Sequence, residues 1–246
     1  MKKSKSQTQG AEWLYGRHAV EAAITAGKRK IFEILLVEQP KGQLSNLLKG
    51  LKVTIITKQE MEQKFPKAVH QGLAAKVSAL SLAGVEDLLD KNLVLVLDQV
   101  TDPHNLGAIL RSADAFGCAG VIVPPARSAP VTDIVAKTAC GALETVPLVE
   151  ANLAQAIQKL QKAGFWAIGL DGASKQTLAK IPRYEKTCLV MGSEGSGLRE
   201  LVAKQCDHLA KLPMVGTVES LNVSVATGVA LYEVSSVQHP STITNR

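Results

Sequence analysis

The sequence predicts an α/β protein whose larger part is built on a mostly parallel β-sheet. Three observations carry this. From residue 92 onward, strand-like apolar runs alternate with stretches of helical period, the pattern of consecutive β-α units. Leu93–Leu97 is apolar at every position, as expected for a parallel strand covered on both faces. Residues 11–78 differ in texture, being rich in lysine, and read as a separate, smaller α/β module.

In the first module, helical period runs from Ala19 to Ala26 and a strand from Ile31 to Val37. A second helix is expected over Leu44–Lys49, a strand over Val53–Thr57, and a short strand after Gly72. Residues 79–91 read as a linker, with Val85–Leu89 able to form a turn of helix. The second part, 92–246, starts with the Leu93–Leu97 strand and a helix over Asn105–Phe116. Strand signals return at Gly120–Val123, Phe165–Leu170, Thr187–Met191 and Leu209–Leu212. Helix signals fall at Thr132–Ala139, Leu153–Lys162 and Leu221–Val237. No internal repeat and no low-complexity segment interrupts the chain.

Composition narrows the function classes. With 46% hydrophobic and 20% charged residues, the chain has a real core and is not broadly disordered. A net charge of +6 and a pI near 9.1 favour a polyanionic partner, because lysines and arginines that neutralise phosphates release counterions. Aromatics are only 4%, so a nucleic-acid surface here has few stacking platforms. No apolar run approaches the ~20 residues needed to span a bilayer, so no membrane association is expected. Residues 1–10 form a basic, polar stretch with no apolar core after it, which reads as a disordered tail rather than a secretory signal. Cys118, Cys140, Cys188 and Cys206 form no Cys-x-x-Cys pair. No metal site is expected, and the thiols read as small hydrophobes in a reducing cytoplasm.

Three separated segments carry candidate chemistry. The first runs Asp98-Gln-Val-Thr-Asp-Pro-His-Asn-Leu-Gly-Ala-Ile-Leu-Arg111. It reads as a strand end, a turn through Pro103 and a helix, and the carboxyl end of a strand is where open α/β sheets bind ligands. Asn105 is a candidate N-cap, and Arg111 is either a solvated charge or a partner for an anionic group. The second segment is Leu189-Val-Met-Gly-Ser-Glu-Gly-Ser-Gly-Leu198. Its Gly-x-x-Gly-x-Gly spacing permits close backbone approach to a ligand, but it is neither a dinucleotide fingerprint nor a P-loop. Glu194 within it has no evident structural duty. The third segment is a polar loop from Leu212 into the apolar run Leu221–Leu231, with Ser220 as the expected N-cap. Gly228 in that helix suggests close approach of another backbone. Val225 and Val229 read as core, whereas Asn222 and Ser224 are polar groups that need partners.

Together these segments resemble the motif set of the SpoU branch of the knotted SPOUT methyltransferases. Asn105-Leu-Gly with Arg111, Met191-Gly-Ser-Glu-Gly, and Ser220-Leu-Asn-Val-Ser-Val-Ala match its motifs in order and spacing. Val69-His-Gln-Gly, Val100-Thr-Asp-Pro-His-Asn-Leu-Gly, Arg127-Ser-Ala and Ala139-Cys-Gly-Ala resemble the pattern of the members that methylate guanosine in bacterial 23S ribosomal RNA. The resemblance covers nearly the whole chain after the first ten residues.

The resemblance implies an L30e-like RNA-binding module over 11–78 and a methyltransferase domain over 92–246 with a deep trefoil knot. Chain connections in general do not thread, so alternation alone predicts an ordinary doubly wound sheet, and the knot comes from the resemblance only. The resemblance also implies a homodimer, S-adenosylmethionine as methyl donor, and 2′-O-methylation of a guanosine ribose in 23S rRNA. Arg111, Asn105, Glu194, Ser220 and Asn222 are the implied catalytic set. Gly192, Gly195, Leu212, Met214 and Leu221 are the implied donor site, where a side chain at Gly192 would crowd a bound ring. The competing readings are a transfer-RNA 2′-O-methyltransferase of the same family and a non-catalytic RNA-binding protein.

Overall fold

The computed structural model describes residues 10–80 and 83–238, so nearly all of the expected basic tail lies outside the described residues. The chain divides into two compact units after residue 81. The first comprises β1 (Ala11–Tyr15), α1 (Arg17–Ala26), β2 (Ile31–Leu36), α2 (Gly42–Leu47), β3 (Val53–Ile55), α3 (Lys58–Lys64) and β4 (Leu73–Ser78). Its four strands lie in the order β1-β4-β2-β3, with only the β2–β3 pair parallel. Leu14, Val20, Ile34, Leu36, Leu73 and Val77 close one side of this sheet.

Sequence period misses β1 and α3. Strand β1 pairs only with β4, and α3 buries a single residue, Met61. The helix nonetheless carries a legible start signal. Thr57 Oγ1 accepts from the Glu60 N–H and Glu60 returns a bond to the Thr57 N–H, a reciprocal capping box. The bond from the Thr57 backbone, the larger of the causes, holds the Glu60 carboxyl below its ordinary range.

The second unit holds β5 (Leu93–Leu97), α4 (Pro103–Ala115), β6 (Val121–Val123), α5 (Asp133–Ala139), α6 (Ala142–Thr145), β7 (Leu148–Glu150) and α7 (Leu153–Lys162). It continues with β8 (Trp166–Leu170), β9 (Thr187–Met191), α8 (Glu200–Ala203), β10 (His208–Ala210) and α9 (Val223–Gln238). All six strands are parallel, in the order β10-β8-β9-β5-β6-β7, and the loops that follow them therefore leave along one edge. Strand β5 lies in mid-sheet and is buried at every residue, as its unbroken apolar run requires. Helix α7 packs Leu153, Ala156, Ile157 and Leu160 onto the sheet and is capped by Asn152, whose side chain accepts from Gln155 N–H. A 3₁₀ turn over Val85–Leu88 buries Val85 and Leu88 in the same core, so part of the segment expected to be a linker belongs to this unit.

Burial pushes the Cys118 and Cys206 thiols up to about 12 and Cys188 well above its ordinary value, while Cys140 is exposed. Among the described residues no helix is long and apolar enough to cross a membrane.

Four local expectations are corrected. The N-cap of α4 is Asp102, not Asn105. Its carboxylate accepts from His104 N–H at 2.9 Å, and Pro103 at the first helical position has no N–H to orphan. The cap before α9 is Asn222, not Ser220: its Oδ1 accepts from Ser224 N–H at 2.9 Å, and its carbonyl receives Ala226 N–H. Val225 and Val229 are not core, being 51% and 45% exposed. Helix α9 is apolar on more faces than the chain itself covers. Gly228 in that helix faces a side chain, Ser112 Oγ of α4, rather than another backbone.

Candidate active site

The site assembles where the loops after β5, β9 and β10 leave the sheet. Asp98 ends β5 and is fully buried, a carboxylate closing an otherwise wholly apolar strand. A buried carboxylate needs partners, and one residue supplies both. Arg199 donates its backbone N–H to Oδ2 at 2.9 Å and its Nε–H to Oδ1 at 2.7 Å. Asp98 N–H also donates to Met191 O at 2.7 Å. The loop from 192 to 199 is thereby tied to the end of the neighbouring strand.

Within that loop, Ser193 and Gly197 exchange backbone hydrogen bonds at 3.1 Å in both directions. Gly195 at φ +88° and Gly197 at φ +65° allow the reversal that holds Glu194 at its tip. Gly192 carries a constraint that the sequence did not reveal. A Cβ there would lie 2.2 Å from Gly197 C and 2.4 Å from Gly197 O, so the loop's own backbone excludes a side chain.

Asn222 joins all three segments. Its Nδ2 donates to Asn105 Oδ1 at 3.0 Å and to Glu194 Oε2 at 3.4 Å. Its Oδ1 accepts from Ser224 N–H and from Ser224 Oγ at 2.6 Å. An asparagine amide has two donor hydrogens and one acceptor oxygen, and every one is used, which fixes its orientation. Glu194 therefore has a partner that spacing did not reveal.

Arg111 is not joined to this cluster by a hydrogen bond among the described residues. Gly107, one turn earlier on α4, is buried where a Cβ would meet Thr138 Cβ at 2.6 Å, so α4 and α5 pack closely along that face. At the far end of the contact the exposed Arg111 donates from Nη1 to Cys140 Sγ at 3.5 Å. Cys140 ends α5 in a left-handed conformation, φ +51°. Ser220 is exposed on the loop between β10 and α9 and does not join the cluster through a hydrogen bond. On the same loop Leu212 and Leu221 are half-buried and Met214 is 38% exposed. Sequence reasoning gave no role to Asp98 or Arg199, and it read Cys140 as a small buried hydrophobe, whereas Cys140 is exposed. The one legible signal among them is the charge that terminates β5.

Known proteins resemble this chain in sequence and in fold. The sequence model described as the SpoU rRNA Methylase family matches residues 92–232, and that described as RNA 2′-O ribose methyltransferase substrate binding matches 13–83. The 23S rRNA (guanosine-2′-O-)-methyltransferase RlmB of Pseudomonas aeruginosa is 44% identical over 93% of this chain and 98% of its own length. Its counterpart in Escherichia coli K12 is 41% identical over 91% and 97%. In fold, the SpoU methyltransferase AviRb of Streptomyces viridochromogenes, solved with the cofactor AdoMet, superposes with a TM-score of 0.76. It is 22% identical, and the match covers 96% of this chain and 92% of AviRb. With a parallel-sheet unit of this topology and matches across both units, the chain belongs to the SpoU rRNA methylase family.

Proposed function

We propose that this protein transfers a methyl group from S-adenosylmethionine to the ribose 2′-oxygen of a guanosine in 23S ribosomal RNA. The observation that carries the reading is the Asn105–Asn222–Glu194 cluster, which gathers the family's three motifs at the carboxyl edge of the sheet. The 41–44% identity to the two RlmB enzymes over nine-tenths of the chain supports the substrate. A ribosomal substrate makes the cytoplasm its compartment.

The residues present fit the methyl donor. The adenine of the donor is flat and uncharged, and it suits the half-buried Leu212 and Leu221 and the accessible Met214. The loops after β9 and β10 are two strand spacings apart, roughly 10 Å, a span that a nucleoside bridges. Gly192 and Gly195 would offer backbone rather than side chain to it. When bound, the donor supplies a methyl group already activated by its sulfonium. On this reading the chain between β9 and α9 also forms the deep trefoil knot. The apolar groove between α4 and α9, lined by Ala108, Phe116, Val225, Val229 and Tyr232, supports a homodimer in which a second copy covers it.

The protein must raise the nucleophilicity of a ribose hydroxyl. Arg111 is a poor base because a guanidinium remains protonated, so its part is to stabilise negative charge on the 2′-oxygen and hold the adjoining phosphate. A carboxylate or a water takes the proton. Asn105, Glu194, Ser220 and Asn222 hold the RNA and the reacting groups in register. Arg111→Ala should lower kcat by about 10²–10³-fold, with Arg111→Lys recovering part of the loss. No recovery with Lys would show that charge alone is not the contribution.

The direct test is transfer from labelled S-adenosylmethionine to 23S rRNA and to transfer RNA, both lacking the modification, followed by nucleoside mass spectrometry. The expected product is 2′-O-methylguanosine in 23S rRNA. A methyl on a base, or on transfer RNA alone, overturns the assignment.

A further inference from the structure

The loop that follows β6, Pro124-Pro-Ala-Arg-Ser-Ala129, leaves the sheet beside the loop that follows β5. Arg127 there has a left-handed backbone, φ +62°, and so does Gln99 on the β5 loop, φ +64°. Neither is glycine, so both conformations are strained and persist only where the surroundings hold them. Two bonds hold them here. Ala129 N–H donates to Val100 O at 2.9 Å, joining the two loops between their strained residues. Ser128 Oγ donates to Pro124 O at 2.8 Å and closes the β6 loop on itself.

The side chain that this bracing presents is exposed, and Arg127 makes no ion pair or hydrogen bond among the described residues. Those bonds fix the backbone without engaging the Arg127 side chain, so the loop displays a fixed cation at the functional edge. A guanidinium matches the two oxygens of a phosphate or carboxylate. The carboxylate available in this reaction belongs to the methyl donor, which is assigned to the loops after β9 and β10. Arg127 lies on the other side of β5, two strand spacings or roughly 10 Å from the glycine loop. A phosphate of the RNA strand that runs past the target ribose is the anion placed to meet it.

We propose that Arg127 clamps a backbone phosphate of the substrate RNA next to the nucleotide being methylated. The proposal rests on the RNA methyltransferase reading above. Its test compares wild type, Arg127→Ala and Arg127→Gly on unmodified 23S rRNA. The glycine variant relieves the backbone strain, so it should melt no lower than wild type, and a weakened interaction with RNA cannot then be blamed on misfolding. Both variants should raise KM for RNA roughly tenfold, leave KM for S-adenosylmethionine unmoved, and lower the salt dependence of RNA binding by about one phosphate's worth of counterion release. Unchanged RNA binding and salt dependence, or a rise confined to KM for S-adenosylmethionine, overturns the clamp. Wild type that transfers no methyl to RNA refutes the function itself, which is a separate result.

Discussion

The loops after β5, β6 and β9 and the loop after β10 leave the same sheet edge but are built in opposite ways. The first three are cross-braced. Asp98 grips Arg199, Ala129 bonds Val100, and Ser193 and Gly197 pair across the glycine turn. The loop from 212 to 221 makes no such bonds among the described residues until Asn222 receives it, and Val215 and Val218 on it are exposed. Polar groups that align a reaction gain from being held before the substrate arrives, since no ordering then accompanies the chemical step. A loop with unpartnered backbone and exposed valines suits a wall that orders around a ligand and derives its stability from that contact.

Gly192→Ala presses hardest on this contrast. Its Cβ would overlap the backbone of Gly197, which cannot swing aside like a side chain. The variant should lose about 1–3 kcal/mol of stability or more and lose S-adenosylmethionine binding, read by thermal melting and calorimetry. If it melts like wild type, the braced loop is less rigid than its bonds imply.

Asp98→Asn sharpens the same contrast at a smaller scale. One oxygen becomes an NH₂ group that faces the donors of Arg199. Because Arg199 is partly exposed, the loss should be about 1–3 kcal/mol rather than that of a fully buried pair. Affinity for S-adenosylmethionine should fall roughly tenfold. A stability loss with affinity intact would make the clamp purely structural.

The smallest effect belongs to the unbraced loop. Met214→Ala should melt within about 1 kcal/mol of wild type, because the side chain is 38% exposed and lies outside the buried core. It should weaken S-adenosylmethionine by about 1 kcal/mol, the loss of part of an apolar contact. A clear drop in melting temperature without ligand would erase the difference between the two loop types.

Legibility followed the strength of local pattern. Strands β5 and β9 and helix α7 fall at the residues their patterns indicate, because an unbroken apolar run or a regular amphipathic face is written into adjacent residues. The four-residue helices α6 and α8 and the three-residue strand β7 escaped, since segments so short owe their form to neighbours. In the candidate site, the structure joins Asn105, Glu194 and Asn222 of the expected residues, through contacts that sequence spacing did not reveal. Gly192 is glycine because Gly197 crosses it, and Asn222 is a cap as well as a link to Asn105 and Glu194. Val225 and Val229 carry core-like side chains on a face the chain leaves open, and nothing local separates a buried valine from one awaiting a partner.

By itself the sequence determined the α/β class, the strands at the centre of the second sheet, the basic character, and the three segments around Arg111, Glu194 and Asn222. These are properties of runs and types, which neighbouring residues encode. Tertiary structure alone decided which groups meet. Asn222 reaches Asn105 across 117 positions of sequence, and Arg199 closes on Asp98 across 101. Arg111, expected within the cluster, bonds instead to Cys140. Hydrogen bonds act over about 3 Å, so distances along the chain say nothing about them until the sheet brings its loops to one edge.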